Sequence, residues 1–133
     1  MMSRRADEHG FTLLEVLVAL VIFAAVAASV LTASQRSLQV AGQLERKALA
    51  GWIADNRITE LQLQRPSPGD SRDDRTLDYG GREWEIHSEV EATSDKGMRR
   101  VTVWVSLKPE RGGAVPVKER ADAMLAGFLV VRG

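Results

Sequence analysis

The chain has 133 residues, with 18 Lys+Arg against 18 Asp+Glu, no cysteine, 44% apolar residues and only 5% aromatic residues. That length suits one ordinary domain, and the balanced charge argues against a non-specific nucleic-acid binder, which carries a basic excess. The lack of cysteine excludes a disulfide scaffold, a thiolate metal site and a cysteine nucleophile, and His9 and His87 lie too far apart in sequence to form a His-rich metal cluster alone.

The apolar residues are unevenly spread. From Phe11 to Leu31 the chain reads FTLLEVLVALVIFAAVAASVL, with Glu15 as its single charge. A helix of that length spans about 30 Å, the thickness of a bilayer hydrocarbon core, and it is apolar on every side, so no face is reserved for water. The following residues, 32–133, hold 16 Lys+Arg and 15 Asp+Glu, too polar a set to wrap such a helix completely, so the segment is expected to sit in a membrane. Arg4 and Arg5 in the short leader favour a cytoplasmic N-terminus. Ala25-Val26-Ala27 also reads as a site for ordinary signal cleavage, but Asp7 and Glu8 directly before the apolar run and Glu15 within it do not suit a secretory signal. A carboxylate in hydrocarbon costs about 3 kcal/mol on insertion scales. Glu15 therefore either snorkels at the headgroup level and the N-terminal end of the helix dipole or has a partner.

Gly10-Phe11-Thr12-Leu13-Leu14-Glu15, followed by Val16-Leu17-Val18-Ala19-Leu20, closely resembles the N-terminus of type IV pilins and pseudopilins. The resemblance implies that a prepilin peptidase cuts between Gly10 and Phe11 on the cytoplasmic side, that Phe11 is then N-methylated, and that the apolar run stays on the mature chain. It also implies a role for Glu15: in a filament core of low dielectric, the carboxylate pairs with the new α-amine of a neighbouring subunit and sets axial register. Loss of one member of such a pair leaves a buried charge. Residues Glu45–Arg57, with Trp52, Asp55 and Asn56, then Glu60-Leu61-Gln62-Leu63, Arg82-Glu83-Trp84-Glu85, Met98–Val105 and Leu125-Ala126-Gly127-Phe128-Leu129 narrow the resemblance to the minor pseudopilin I of type II secretion systems, over essentially the whole chain.

No proline precedes Pro66, so one helix is expected from about Phe11 to Gln64, near 80 Å at 1.5 Å per residue. Gly42 and Gly51 lie within it, each about 1 kcal/mol less favourable than Ala. At 100° per residue Leu38, Ala41, Ala48, Leu49, Trp52, Ile53 and Leu63 share a face, which is assigned to packing on a sheet, with Asn56 as a buried amide on the same stripe. Val40, Leu44 and Ile58 form a thinner strip suited to a partner helix. Pro66–Arg75, PSPGDSRDDR, reads as a polar loop. Its Asp70, Asp73 and Asp74 lack calcium-loop spacing and are interrupted by Arg72 and Arg75, so no metal site is expected. Alternation then predicts a strand over residues 83–92, with His87 in a solvated charge row beside Glu85, Glu89 and Glu91. A turn at Thr93–Gly97 precedes a second strand through Val101, Val103, Val105 and Leu107, with Glu89 and Glu91 facing Arg99 and Arg100 across the hairpin. A loop at Pro109–Pro116, a short helix or turn near Lys118–Ala123 and a last strand at Met124–Val131 complete the chain.

The expected fold is α+β and pilin-like: a long N-terminal membrane-spanning helix packed on a small antiparallel β-sheet. Residues 1–10 are expected to be the leader, 11–31 the transmembrane and filament-core helix, and 32–133 a periplasmic domain. No residue set makes a catalytic, metal or cofactor site, so the chain is expected to be a substrate of the prepilin peptidase and not an enzyme. The resemblance implies a single-pass inner-membrane protein that moves to the pseudopilus tip. Its implied partners are the minor pseudopilins J, K and H, the major pseudopilin G, the prepilin peptidase and the inner-membrane assembly platform, with no nucleic acid. Two alternatives stay open at this point: a type IV pilus minor pilin for adhesion, DNA uptake or motility, and a secreted binding domain cleaved by signal peptidase.

Overall fold

The computed structural model describes residues 12–111 and 115–132. The scissile pair Gly10 and Phe11 falls outside them. Helix α1 runs Leu13–Leu63, and Thr12 begins it: the Glu15 N–H donates to Thr12 Oγ1 at 3.2 Å, which satisfies one of the amides that a helix start leaves unpaired. Pro66 follows within three residues of its end, where a proline cannot continue a helix.

Two compact units divide the chain, residues 1–42 and 43–133. The described part of the first is α1 alone. Its large side chains are open, with Leu13 79%, Leu14 70% and Phe23 72% exposed, and its hydroxyls turn back on the helix, Ser29 Oγ to Ala25 O at 2.9 Å and Thr32 Oγ1 to Ala28 O at 2.8 Å. An 18-residue window of α1 near the N-terminus is apolar enough to cross a membrane, and none of it is buried.

The second unit is a four-stranded antiparallel meander carried on the last part of α1. Its strands are β1 (Ser71–Tyr79), β2 (Arg82–Ala92), β3 (Met98–Leu107) and β4 (Ala123–Val130), in that spatial order, with the one-turn helix α2 (Val117–Arg120) before β4. Gly80 and Gly81, at φ +62° and +74°, close the β1–β2 hairpin in the left-handed region that glycine enters without a Cβ penalty. The core lies between the sheet and α1. Trp84 and Ile86 from β2, Val101, Val103 and Val105 from β3, and Leu129 from β4 meet Ala50, Ile53, Ala54, Ile58 and Leu61 of the helix. Trp84 is fully buried and donates its Nε1–H to Tyr79 O at 3.1 Å.

Three expectations need correction. The helix face against the sheet is Ala50, Ile53, Ala54, Arg57, Ile58 and Leu61, an i, i+3, i+4, i+7, i+8, i+11 stripe. Ile58, expected on a partner-helix strip, is instead 6% exposed, and a Cβ on Gly127 of β4 would meet its Cγ2 at 3.4 Å. Trp52 and Leu63, expected inward, are 64% and 74% exposed, as is Leu38 at 74%, and Asn56 is also exposed. Side-chain size explains the difference: small Ala50 and Ala54 let the backbone approach the sheet closely, where a Trp52 indole would force it away. Second, Ser71–Tyr79 is a strand and not a loop, with Asp73 opposite Ser88 and Asp74 opposite His87. Third, the middle of the charge row of β2 is covered, with the Glu89 and His87 side chains 7% and 15% exposed, while Glu83 and Glu91 at its ends remain exposed.

Candidate assembly surfaces and the charged cluster

The first surface is the open apolar stretch of α1 in residues 13–31. Its one acid, Glu15, lies in the first helical turn, where a carboxylate is stabilised by the positive end of the helix dipole. A carboxylate alone in such a stretch can accept a cation from another chain, and among the described residues it has no ion-pair partner. Val40 also lies in this unit, 54% exposed.

The second surface belongs to the domain. Leu44 (63% exposed), Ala48, Trp52 and Leu63 share the side of α1 that points away from the sheet. An indole that is largely open while its neighbours Ile53 and Ala54 are buried is suited to become an interface anchor, since Trp is the residue type most enriched at energetic hot spots. Of the strip expected to meet a partner helix, Val40 and Leu44 are accessible and Ile58 is not.

Buried Arg57 fixes how β1 lies beside this helix. From inside the α1 face it donates Nε–H to Ser88 Oγ at 3.3 Å, Nη1–H to Glu60 Oε2 at 3.1 Å and Nη2–H to Asp73 Oδ2 at 2.9 Å. The planar guanidinium fork serves three acceptors from two strands and its own helix, a task for which Lys lacks the geometry. At the other end of this stretch Arg46 pairs with Asp122 at 3.0 Å.

The third feature lies on the sheet face away from α1. His87 contacts Asp74 of β1 at 2.6 Å through Nδ1 and Glu89 at 3.1 Å through Nε2. Lys118 of α2 pairs with Glu89 and stands 4.7 Å from the Trp104 ring centroid, while Arg120 pairs with Glu85. The His87 and Trp104 rings are 5.6 Å apart. Burial alone lowers the proton affinity of His87, but hydrogen bonds and charge from Asp74 and Glu89 outweigh it and raise its pKa above the ordinary imidazole value. The hydrogen bond from Lys118 is the main influence on Glu89 and, against its own desolvation, holds that carboxyl below the usual range. Asp74, Glu85, His87, Glu89, Lys118 and Arg120 line an open cleft of about 630 Å³. Every acid of the trio is engaged by a cation or by His87, so the arrangement ties β1, β2 and α2 together. Among the described residues no group of three or more His, Asp or Glu is placed to hold a metal ion.

Sequence reasoning located the apolar stretch and Glu15, but it missed the outward Trp52, the buried Arg57 and the covering of His87. The interruption of an apolar face by Arg57, with Asp residues downstream, was the available signal for the second. The third needed α2, whose position over β2 no local pattern encodes.

Two family models match the chain: "Type II secretion system (T2SS), protein I" over residues 44–129, and "Prokaryotic N-terminal methylation motif" over residues 5–31. A type II secretion system protein I of Pseudomonas aeruginosa is 58% identical over 124 residues, covering 91% of this chain and 94% of the relative. Proteins of the same description from Dickeya chrysanthemi, 34% identical over 95% of each chain, and Klebsiella pneumoniae, 36% identical over 74% of this chain and 81% of the relative, are also similar. The methylation motif spans the Gly10–Glu15 signature and the candidate transmembrane stretch, and the protein I match spans the helix stripe, Arg57, the sheet and most of β4; the chain therefore belongs to the type II secretion system protein I family, the minor pseudopilins of that secretion machinery.

Proposed function

We propose that this chain is cut between Gly10 and Phe11 by the prepilin peptidase, methylated on Phe11, and held in the inner membrane by residues 11–31 with residues 32–133 in the periplasm. It then joins the minor pseudopilins J, K and H at the tip of the pseudopilus, above the major pseudopilin G, and helps to initiate assembly from the inner-membrane platform for export of folded proteins. The observation that carries this reading is the open apolar stretch of α1 interrupted only by Glu15. A stretch with that exposure is covered by lipid before assembly and by neighbouring helices after it, and Glu15 supplies the counter-charge for an incoming α-ammonium. The stripe of Leu44, Ala48, Trp52 and Leu63 is the proposed contact for a partner helix; Val40, in the preceding unit, is a separate proposed contact.

The test has two arms. Mass spectrometry of the mature chain is expected to show N-methyl-Phe11; a chain beginning at Ala28 would overturn the reading in favour of signal-peptidase cleavage. Glu15→Ala is expected to reduce secretion and capture of J and K while the domain keeps its thermal unfolding midpoint. Normal secretion with unchanged capture would remove Glu15 from the assembly step.

A further inference from the structure

The two edges of the sheet are built differently. Edge strand β1 carries Arg72, Asp73, Asp74, Arg75 and Asp78 within its nine residues. Edge strand β4, Ala-Met-Leu-Ala-Gly-Phe-Leu-Val, has no charge and no proline. Charges and prolines are the means by which native edges refuse further pairing, so β1 is guarded and β4 is not.

The register shows which groups β4 offers. The Val131 N–H donates to Gly97 O at 2.9 Å and continues the β3–β4 ladder. Odd-numbered residues therefore bond to β3, and even-numbered residues direct their N–H and C=O away from it, because the two sets alternate along an antiparallel strand. The side-chain bonds agree: Phe128 O accepts from Gln62 Nε2 at 3.3 Å and Val130 O from Ser67 Oγ at 3.2 Å. Ser67 thus closes the edge at Val130, and among the described residues no strand lies on the outer side of Met124–Phe128, where Gln62 takes one lone pair of Phe128 O. Its even-numbered side chains stand on the sheet face away from α1, with Met124 62% and Phe128 55% exposed.

This short edge is complementary to itself. Laid antiparallel about a two-fold axis through Ala126, it sets Met124 against the partner's Phe128, and Ala126 against the partner's Ala126. The small residue falls at the axis, a sulfur–aromatic contact forms on either side, and no like charges meet. The second lone pair of Phe128 O remains for a strand donor. We propose that two copies of this chain join β4 to β4 across Met124–Phe128, extending the sheet through an isologous interface. With so few opposed residues the pairing is reversible, so a subunit can leave it. The proposal does not depend on the tip function: it needs only the edge, and it can fail while that function stands.

The chain has no cysteine of its own, so a single introduced thiol reports one position. A hydrogen-bonded antiparallel pair holds its Cα atoms about 5.5 Å apart, within disulfide range. Full-length A126C, in membranes and purified in detergent, is expected to oxidise to a covalent dimer of the chain. T76C on the guarded β1 edge is expected to give about ten-fold less, and adding F128K to A126C is expected to abolish the dimer while near-UV circular dichroism shows the domain intact. A126C that stays monomeric overturns the proposal. Equal dimer from A126C and T76C also overturns it, since association through the apolar helix brings both together alike. So does an A126C adduct to a different protein in membranes with no dimer of the purified chain, which would make the edge a site for another subunit's strand.

Discussion

Helix α1 carries two kinds of apolar surface that composition alone does not separate. In residues 13–31 nearly every large side chain is open, and removing one of them subtracts nothing from a protein core. In residues 50–61 six side chains are buried, two of them alanines and one an arginine. Hydrophobicity therefore does not identify the stabilising part of this helix. Close approach does: small residues bring the backbone to the sheet, and the bulk is supplied from the other side by Trp84, Val103 and Val105. The stretch with the most apolar side chains is available for other molecules, and the stretch with fewer holds the fold.

The largest expected effect tests that division directly. Trp84→Ala removes a fully buried indole with a satisfied N–H, and loss of a buried Trp typically costs about 3–5 kcal/mol. Phe23→Ala removes a ring that is 72% exposed and is expected to leave domain stability within about 0.5 kcal/mol of wild type. Pulse proteolysis of the detergent-solubilised chain across a urea series reads both. A comparable drop for Phe23→Ala would show that the first stretch also supports the domain.

The same division explains what was legible beforehand. Pro66 announces the helix end near Leu63. The membrane stretch and the final strand announce themselves as apolar runs, and strands β2 and β3 by period, because each has one face or one whole segment that must leave water. β1 does not: Ser-Arg-Asp-Asp-Arg-Thr-Leu-Asp-Tyr is polar on both faces, and only its ladder to β2 and the reach of Arg57 to Asp73 make it a strand. The face of α1 was misjudged for a related reason. Ranking by apolarity favours Trp52 and Leu63, whereas packing against a sheet favours Ala50 and Ala54. Of the site, Glu15 and its apolar setting could be read directly because both are local. The outward placement of Trp52 and the pairing of His87 depend on contacts made across 13 or more positions in the chain, as between His87 and Asp74.

A middle-sized effect sharpens the account of close approach. Gly127 sits in β4 opposite Val101, and a Cβ there would stand 3.4 Å from Ile58 Cγ2 and 3.8 Å from Val101 Cγ1. One methyl nearly fits, and the two further carbons of valine do not. Gly127→Val is expected to cost about 1–3 kcal/mol through overpacking, and Gly127→Ala less. The companion change Ile58→Val keeps Cγ2 but removes Cδ1, which stands 3.8 Å from that Cβ, so it should recover part of the valine penalty in a double-mutant cycle. Additive losses would mean that the helix and strand do not meet there as tightly as the distance states.

The smallest effect concerns the face of the sheet away from α1, where charges rather than packing join the parts. The pKa of His87 is raised in the folded chain, so the folded state holds its proton more tightly than the unfolded state does. Its contribution is fully present below about pH 6.5, the unfolded value, and is lost as pH rises through the raised folded value. The pKa of Glu89 is lowered, so its contribution is present above an unfolded value of about 4.3 and is lost as pH falls through the folded one. The two contributions overlap between these limits, and stability should be greatest there. His87→Gln keeps a hydrogen-bonding side chain between Asp74 and Glu89 but removes the titration. It is expected to flatten the decline above pH 6.5 and to weaken the acid limb only in part, since Glu89 keeps Lys118 and Arg72 but loses the hydrogen bond from His87. Urea midpoints measured from about pH 2.5 to pH 8.5, a range that crosses both limbs, provide the comparison. An unaltered alkaline decline in His87→Gln would assign that limb to another group and leave His87 as a passive member of the cluster. The effect is smaller than either packing change because the cluster rests on Asp74, whose side chain is 79% exposed, and water screens what that carboxylate can contribute.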